Sequence, residues 1–172
     1  VRDFTASVAE ILGKPGHYRD IKVAKPLPGV RTELARLDGL PLTGALRLES
    51  VVEGILVTGR VAGLVRLTCA RCLEDFEEDV DAELCELFLA PGHEAPAEEE
   101  AYVVEALEID LEPMLRDALT LALPLNPIHS PDCKGLCAHC GKDLNTGACD
   151  CAEDEVDPRW ADLSALRDKL EA

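Results

Sequence analysis

The chain has 172 residues, 47% hydrophobic but only 3% aromatic, and carries 34 acidic against 17 basic side chains for a net charge of −17. That length suits one domain, or one domain with a small metal-held appendage, whose core must be built from Leu, Val and Ala. The acidic excess argues against a body that binds nucleic acid through its phosphates, and every apolar stretch is broken by charge or proline well short of the ~20 residues that span a membrane.

The charge is unevenly spread. Residues 1–36 hold seven basic and four acidic residues, and the remainder holds ten basic and thirty acidic ones. Phe4–Leu12 is a short apolar-periodic segment stopped by Gly13 and Pro15. The stretch after it, G-K-P-G-H-Y-R-D, and the loop Lys25–Gly29 are turn-rich, so residues 1–43 read as a basic arm without packed elements. Arg19, Lys22, Lys25 and Arg31 in that arm are candidate phosphate contacts, set against an ordinary solvated loop.

From Ala45 to Leu89 apolar residues recur with period two. Leu46 and Leu48, Ile55–Val61, Val65 and Leu67, then Val80, Ala82 and Leu84 alternate with polar neighbours. The expectation is an antiparallel meander with one wet face, which could curl toward a barrel. Cys85, mid-strand, reads as a buried or half-buried thiol. Residues 91–101, with Glu94 and Glu98–Glu100, read as a solvated loop, and Tyr102–Val104 as a short strand. Asp110 then suits an N-cap and Pro113 a first turn. Leu111, Met114, Leu115, Ala118, Leu119 and Ala122 fall on one helical face, which is expected to cover the dry side of the sheet. Pro124 and Pro127 end that helix. A last helix is expected from Asp157 and Pro158, with Trp160, Leu163, Leu166 and Leu170 on one side. The fold class is therefore α+β: a core over 44–128, and a cysteine-bearing segment with a terminal helix over 129–172.

Cysteines carry the chemistry. Cys137 and Cys140 form C-x-x-C, Cys149 and Cys151 form C-x-C, and Cys69 and Cys72 form a second C-x-x-C where one strand turns into the next. Paired thiolates on tight turns are what a tetrahedral structural zinc requires. The segment around the last cysteines has too few apolar residues to fold alone. Disulfides fit less well, because the chain is long, opens on no basic–apolar leader and clusters its cysteines; a reduced, cytoplasmic protein is the expectation. With His129 and Cys133, eight candidate ligands divide into two sites. One is Cys137, Cys140, Cys149 and Cys151; the other is Cys69, Cys72, His129 and Cys133. The rival division uses Cys133, Cys137 and Cys140 with Cys149 or Cys151, leaving one zinc and a free C-A-R-C, and His139 is a further donor. Spacing alone does not choose between them. His17 and His93 sit in loops and read as unliganded.

No catalytic pattern is present: no H-E-x-x-H, no phosphate loop, no G-x-S-x-G and no H-x-E paired with P-C-x-x-C. The reading is of a non-enzyme.

Several motifs occur together in order: C-A-R-C-L-E (69–74), E-I-D-L-E-P (108–113), A-L-P-L-N-P (122–127), C-K-G-L-C-A-H-C-G-K-D-L-N (133–145) and D-P-R-W (157–160). In that order they resemble the bacterial YceD family, the large ribosomal RNA subunit accumulation proteins, over roughly residues 44–170. The resemblance implies a cytoplasmic ribosome-biogenesis factor, needed for accumulation of large-subunit ribosomal RNA. Such a factor would bind a basic ribosomal protein or the assembling large subunit, with ribosomal RNA as a further partner and neither a membrane nor a small-molecule substrate. Two other readings stand beside it. A zinc-dependent RNA-binding module is disfavoured, because the knuckle carries Lys134, His139 and Lys142 but no aromatic and runs into Asp150, Glu153, Asp154 and Glu155. A thiol- or zinc-sensing regulator needs an exposed, activated thiol, for which Arg71 beside Cys72 is the only hint.

Overall fold

The alternation along the middle of the chain becomes three long antiparallel strands. The computed structural model describes residues 4–37, 39, 41–93 and 101–151. The chain divides into two compact units, Val1–Cys133 and Lys134–Ala172. The Glu94–Glu100 run and the helix expected from Asp157 lie outside the described residues.

In the first unit, β1 is Thr5–Ser7, β2 Tyr18–Pro26, β3 Ala35–Arg36, β4 Pro41–Ser50, β5 Gly54–Thr68, β6 Asp75–Leu89, β7 Tyr102–Val103 and β8 Glu108–Asp110, followed by helix α1 at Glu112–Ala122. The main sheet runs β2-β4-β5-β6-β7, with β3 pairing β5 beyond the end of β4, while β1 and β8 form a separate two-stranded ribbon. All pairs are antiparallel except β6–β7. Among the described residues β2 and β7 are sheet edges, so the sheet is open and not a closed barrel.

Register explains the burial. Ile55, Val57, Val61, Val65 and Leu67 of β5 point inward beside Leu46 and Leu48 of β4 and Val80, Ala82, Leu84 and Phe88 of β6. The intervening residues face water, where Arg66 of β5 stands opposite Glu77 and Arg60 bonds Glu83. Cys85 falls on this wet face opposite Thr58 and is exposed, contrary to the buried or half-buried thiol expected from its mid-strand position. Its odd position on β6 puts it in line with Asp79, Asp81 and Glu83, and that phase decides its exposure. Gly44 and Gly59 let β4 and β5 approach closely. A Cβ on Gly59 would run into the Ala45 carbonyl, and one on Gly44 into the Arg60 carbonyl.

The N-terminal region differs from the turn-rich arm expected. Tyr18–Pro26 is a nine-residue strand in continuous register with β4, and Leu27 and Val30 of the following loop are buried. As an edge strand, β2 buries only Val23 fully, so period two is not visible in its sequence although its backbone is laddered. Phe4, Val8 and Ile11 also join the core.

Helix α1 follows its apolar stripe. Met114, Leu115 and Leu119 are buried against the sheet, while Leu121 on the opposite side is 86% exposed. The cap position is Leu111, one residue later than expected, but the Asp110 carboxylate still accepts the Glu112 N–H at 3.0 Å. Arg116 donates to the Pro28 carbonyl at 3.0 Å, which pins the β2–β3 loop to the helix. Among the described residues no helix is long and apolar enough to cross a membrane.

Candidate metal centres

Two groups of four donors each come together. Cys69, Cys72, His129 and Cys133 lie in the first unit, and Cys137, Cys140, Cys149 and Cys151 in the second. Within each group the ligand atoms lie within 4.8 Å of one another.

The first centre is built at one end of the sheet. Strand β5 runs directly into Cys69, and β6 begins three residues after Cys72. The turn between them is closed by two backbone bonds: Leu73 N–H to the Cys69 carbonyl (2.9 Å) and Cys69 N–H to the Glu74 carbonyl (2.8 Å). The two distant donors arrive because the prolines that stop α1 turn the chain back. The Ala70 N–H then donates to the Pro127 carbonyl at 2.8 Å, and Arg71 donates to the Cys133 carbonyl at 2.9 Å. Phe76 meets the His129 ring edge to face, with ring centres 6.5 Å apart. Cys69 Sγ is 3.8 Å from Cys133 Sγ, and Cys72 Sγ is 3.3 Å from His129 Nδ1. Thiolates at ~2.3 Å from a tetrahedral ion stand about 3.8 Å apart, so these donors fit one such ion with His129 bound through Nδ1. Its Nε2 then faces Glu74, 3.9 Å away, an orienting carboxylate of the kind that fixes a ligand histidine.

The second centre repeats the same turn. Gly141 N–H donates to the Cys137 carbonyl (2.9 Å) and Cys137 N–H to the Lys142 carbonyl (2.8 Å), matching the first knuckle bond for bond. The residue after the second cysteine is left-handed in both, Leu73 at φ 61° and Gly141 at φ 71°. Leu136 and Asp143 bridge as a minimal hairpin, and Lys142 Nζ reaches the Ala148 carbonyl at 2.6 Å, tying the knuckle to the C-x-C segment. Asn145 braces the base, accepting the Lys134 N–H at 2.8 Å and donating to Asp143.

Thiol electrostatics are split within each centre. Burial pushes the Cys69 thiol up, but N–H groups of His129, Cys72 and Arg71 outweigh it and hold the thiol at about 5, while burial pushes Cys72 up to about 11. Backbone N–H groups of Cys140 and His139 lower Cys137 to about 6, and the neighbouring Cys140 and Cys137 thiols push Cys151 up to about 12. One thiolate is therefore favoured at each centre and a second is resisted, a repulsion that a cation relieves. Four protein donors would fill the tetrahedron of a bound ion and leave no position for substrate, as in closed structural zinc sites.

The centres differ in shelter. Cys69, Cys72 and Cys133 are buried, whereas Cys140 is exposed and Cys149 and Cys151 are half-buried. His139 is exposed and stands outside both groups. The His17 ring meets the Lys14 carbonyl at 3.1 Å. Of the proposed phosphate contacts, Arg19, Lys22 and Lys25 lie along β2 and Arg31 forms an isolated bridge with Arg36. The signal that spacing alone missed is the shared backbone of the two knuckles, because leucine in place of glycine hides the C-x-x-C-G pattern in the first.

The family model for the large ribosomal RNA subunit accumulation protein YceD matches residues 57–167, a span that includes all eight clustered donors. The chain belongs to the YceD family. It is 38% identical over 164 residues to an uncharacterised protein of Mycobacterium tuberculosis, covering 92% of this chain and 79% of that one. A chloroplastic protein of Arabidopsis thaliana, named as large ribosomal RNA subunit accumulation protein YCED homolog 1, is 36% identical over 67 residues, 39% of this chain and 21% of its own. The Bacillus subtilis protein YlbN is 27% identical over 141 residues, 81% of each chain. No solved structure matches.

Proposed function

We propose that this YceD-family chain is a non-enzymatic, cytoplasmic ribosome-biogenesis factor, held in shape by zinc and required for accumulation of large-subunit ribosomal RNA. The observation that carries the reading is the family match over residues 57–167. Zinc is the assignment because seven thiolates and one imidazole in closed groups of four suit a borderline-soft ion with no geometric demand beyond the tetrahedron. The partner is a basic ribosomal protein or a basic part of the assembling large subunit. Supporting this, Asp75, Glu77, Asp79, Asp81 and Glu83 share the wet face of β6, and the facing strand offers only Arg60 and Arg66 against them.

The test is depletion in the native cell, followed by the ratio of large- to small-subunit ribosomal RNA. The ratio should fall and be restored by the wild-type gene. An unchanged ratio would end this reading.

A further inference from the structure

The two centres hold matching knuckles in unlike surroundings. Cys69, Cys72 and Cys133 are 0%, 8% and 5% exposed, and the turn that carries the first two is fixed between β5 and β6. The second centre has no such frame. Among the described residues of its unit, 134–151, no strand or helix forms beyond the isolated Leu136–Asp143 bridge. Residues 138–142 are all exposed, with Cys140 at their middle, and Cys149 and Cys151 are half-buried. Metal-bound cysteines are thiolates, and oxidation of a thiolate follows its access to solvent. The four sulfurs of this group lie within 4.8 Å of one another, so an oxidised Cys140 has resolving partners beside it. Closing such a gap to the ~2.05 Å of a disulfide moves only loop backbone.

We propose that the second centre is a peroxide-operated switch: its four cysteines pair as two disulfides and release the ion, while the first centre keeps its own. The inference rests on the zinc assignment of the proposed function and not on the ribosomal role. Cys140 reacts first. Its thiolate attacks one oxygen of hydrogen peroxide, the O–O bond breaks, and a sulfenic acid and a hydroxide form. A neighbouring thiolate of the group then attacks that sulfur, makes the S–S bond and expels a second hydroxide. Each disulfide thus passes two electrons from sulfur to one peroxide, and zinc, which has no redox chemistry, changes no charge. The remaining two thiolates consume a second peroxide in the same way. With its four donors gone, a segment this poor in apolar side chains loosens, because metal binding and folding are one event there. A dithiol reductant returns the thiolates, and zinc returns the knuckle.

The test uses the full chain with Cys85→Ser, since the exposed Cys85 thiol on β6 would consume peroxide without releasing metal. Zinc-loaded protein is treated with about two equivalents of hydrogen peroxide beside a chromophoric chelator, the dose that two disulfides require. One of two zinc ions should be released, and four of seven thiols should be lost, mapped by mass to Cys137, Cys140, Cys149 and Cys151. A dithiol with zinc should restore both counts. Cys140→His keeps a zinc donor but removes the exposed thiolate, and should slow release by about tenfold or more. If that variant holds no zinc, a sulfenic-acid trap on the Cys85→Ser protein decides, and should label Cys140 ahead of any other cysteine. Release of both ions together, release of neither, an unchanged rate in Cys140→His, first labelling elsewhere, or thiols that the dithiol does not recover would each overturn the proposal. Protein that carries no zinc before peroxide is added would overturn the zinc assignment as well, which separates the two failures.

Discussion

The matched knuckles permit a paired experiment on one backbone position. Gly141 is left-handed (φ 71°), and a Cβ added there would meet no heavy atom within 4 Å. Gly141→Ala therefore introduces backbone strain without a clash. Left-handed geometry costs an L-residue roughly 1–2 kcal/mol, and the lower entropy of alanine in the unfolded chain returns about 0.4–1 kcal/mol. The net is about 1 kcal/mol. Because folding and metal binding are coupled in such a segment, it should appear as a roughly fivefold loss of zinc affinity at the second centre. The equivalent change in the first knuckle behaves differently. Leu73→Gly relieves the same strain, but glycine adds unfolded-state entropy, and Leu73, 60% exposed, gives up about two-fifths of a leucine's burial, roughly 0.6–1.2 kcal/mol. Those terms cancel to near zero. Competition with a chromophoric chelator measures both variants. Equal losses in the two, or no loss in Gly141→Ala, would refute the claim that the knuckles share one geometry with different occupants.

Protein purified without added metal should carry two zinc ions per chain. Cys69→Ser/Cys72→Ser should leave one, as should Cys149→Ser/Cys151→Ser, by elemental analysis against protein mass. Leu119→Ala should lower unfolding free energy by ~2–5 kcal/mol in denaturant titration, whereas Leu121→Ala, on the wet side of the same helix, should stay within about 0.5 kcal/mol. Burial and the 2.7 Å hydrogen bond to Asp117 raise the Tyr102 phenol above its ordinary value of 10.0. The unfolded phenol therefore ionises first, and its contribution to stability, full below pH 10.0, is lost as pH rises toward the folded value. Tyr102→Phe should flatten that alkaline decline in thermal-melt series.

Strands β4, β5 and β6 and helix α1 were legible because each buries a regular set of side chains, and the period of that set is written in the residues. Strand β2 was not. It is held by backbone bonds to β4 while burying little beyond Val23, and a ladder leaves no mark in composition. The donors were visible as residue types, but their grouping depends on Cys69 meeting Cys133 across 64 residues, which the return of the chain after Pro124 and Pro127 decides and spacing does not. The wet-face position of Cys85 was a matter of phase, and one residue of slip would have buried it.

The first centre also changes the topology of the chain. Its contacts join positions 57 to 64 residues apart, at the two ends of a segment that contains all of β6 and α1. A crosslink closing about 60 residues withdraws on the order of 4 kcal/mol of freedom from the unfolded ensemble, by the relation used for disulfides, against roughly 3 kcal/mol for the short loop of the second. An ion bound there would act as a reversible covalent-like ring closure around the sheet and its helix. A cell's supply of metal would then set how often that ring opens, and with it how long the sheet survives a protease.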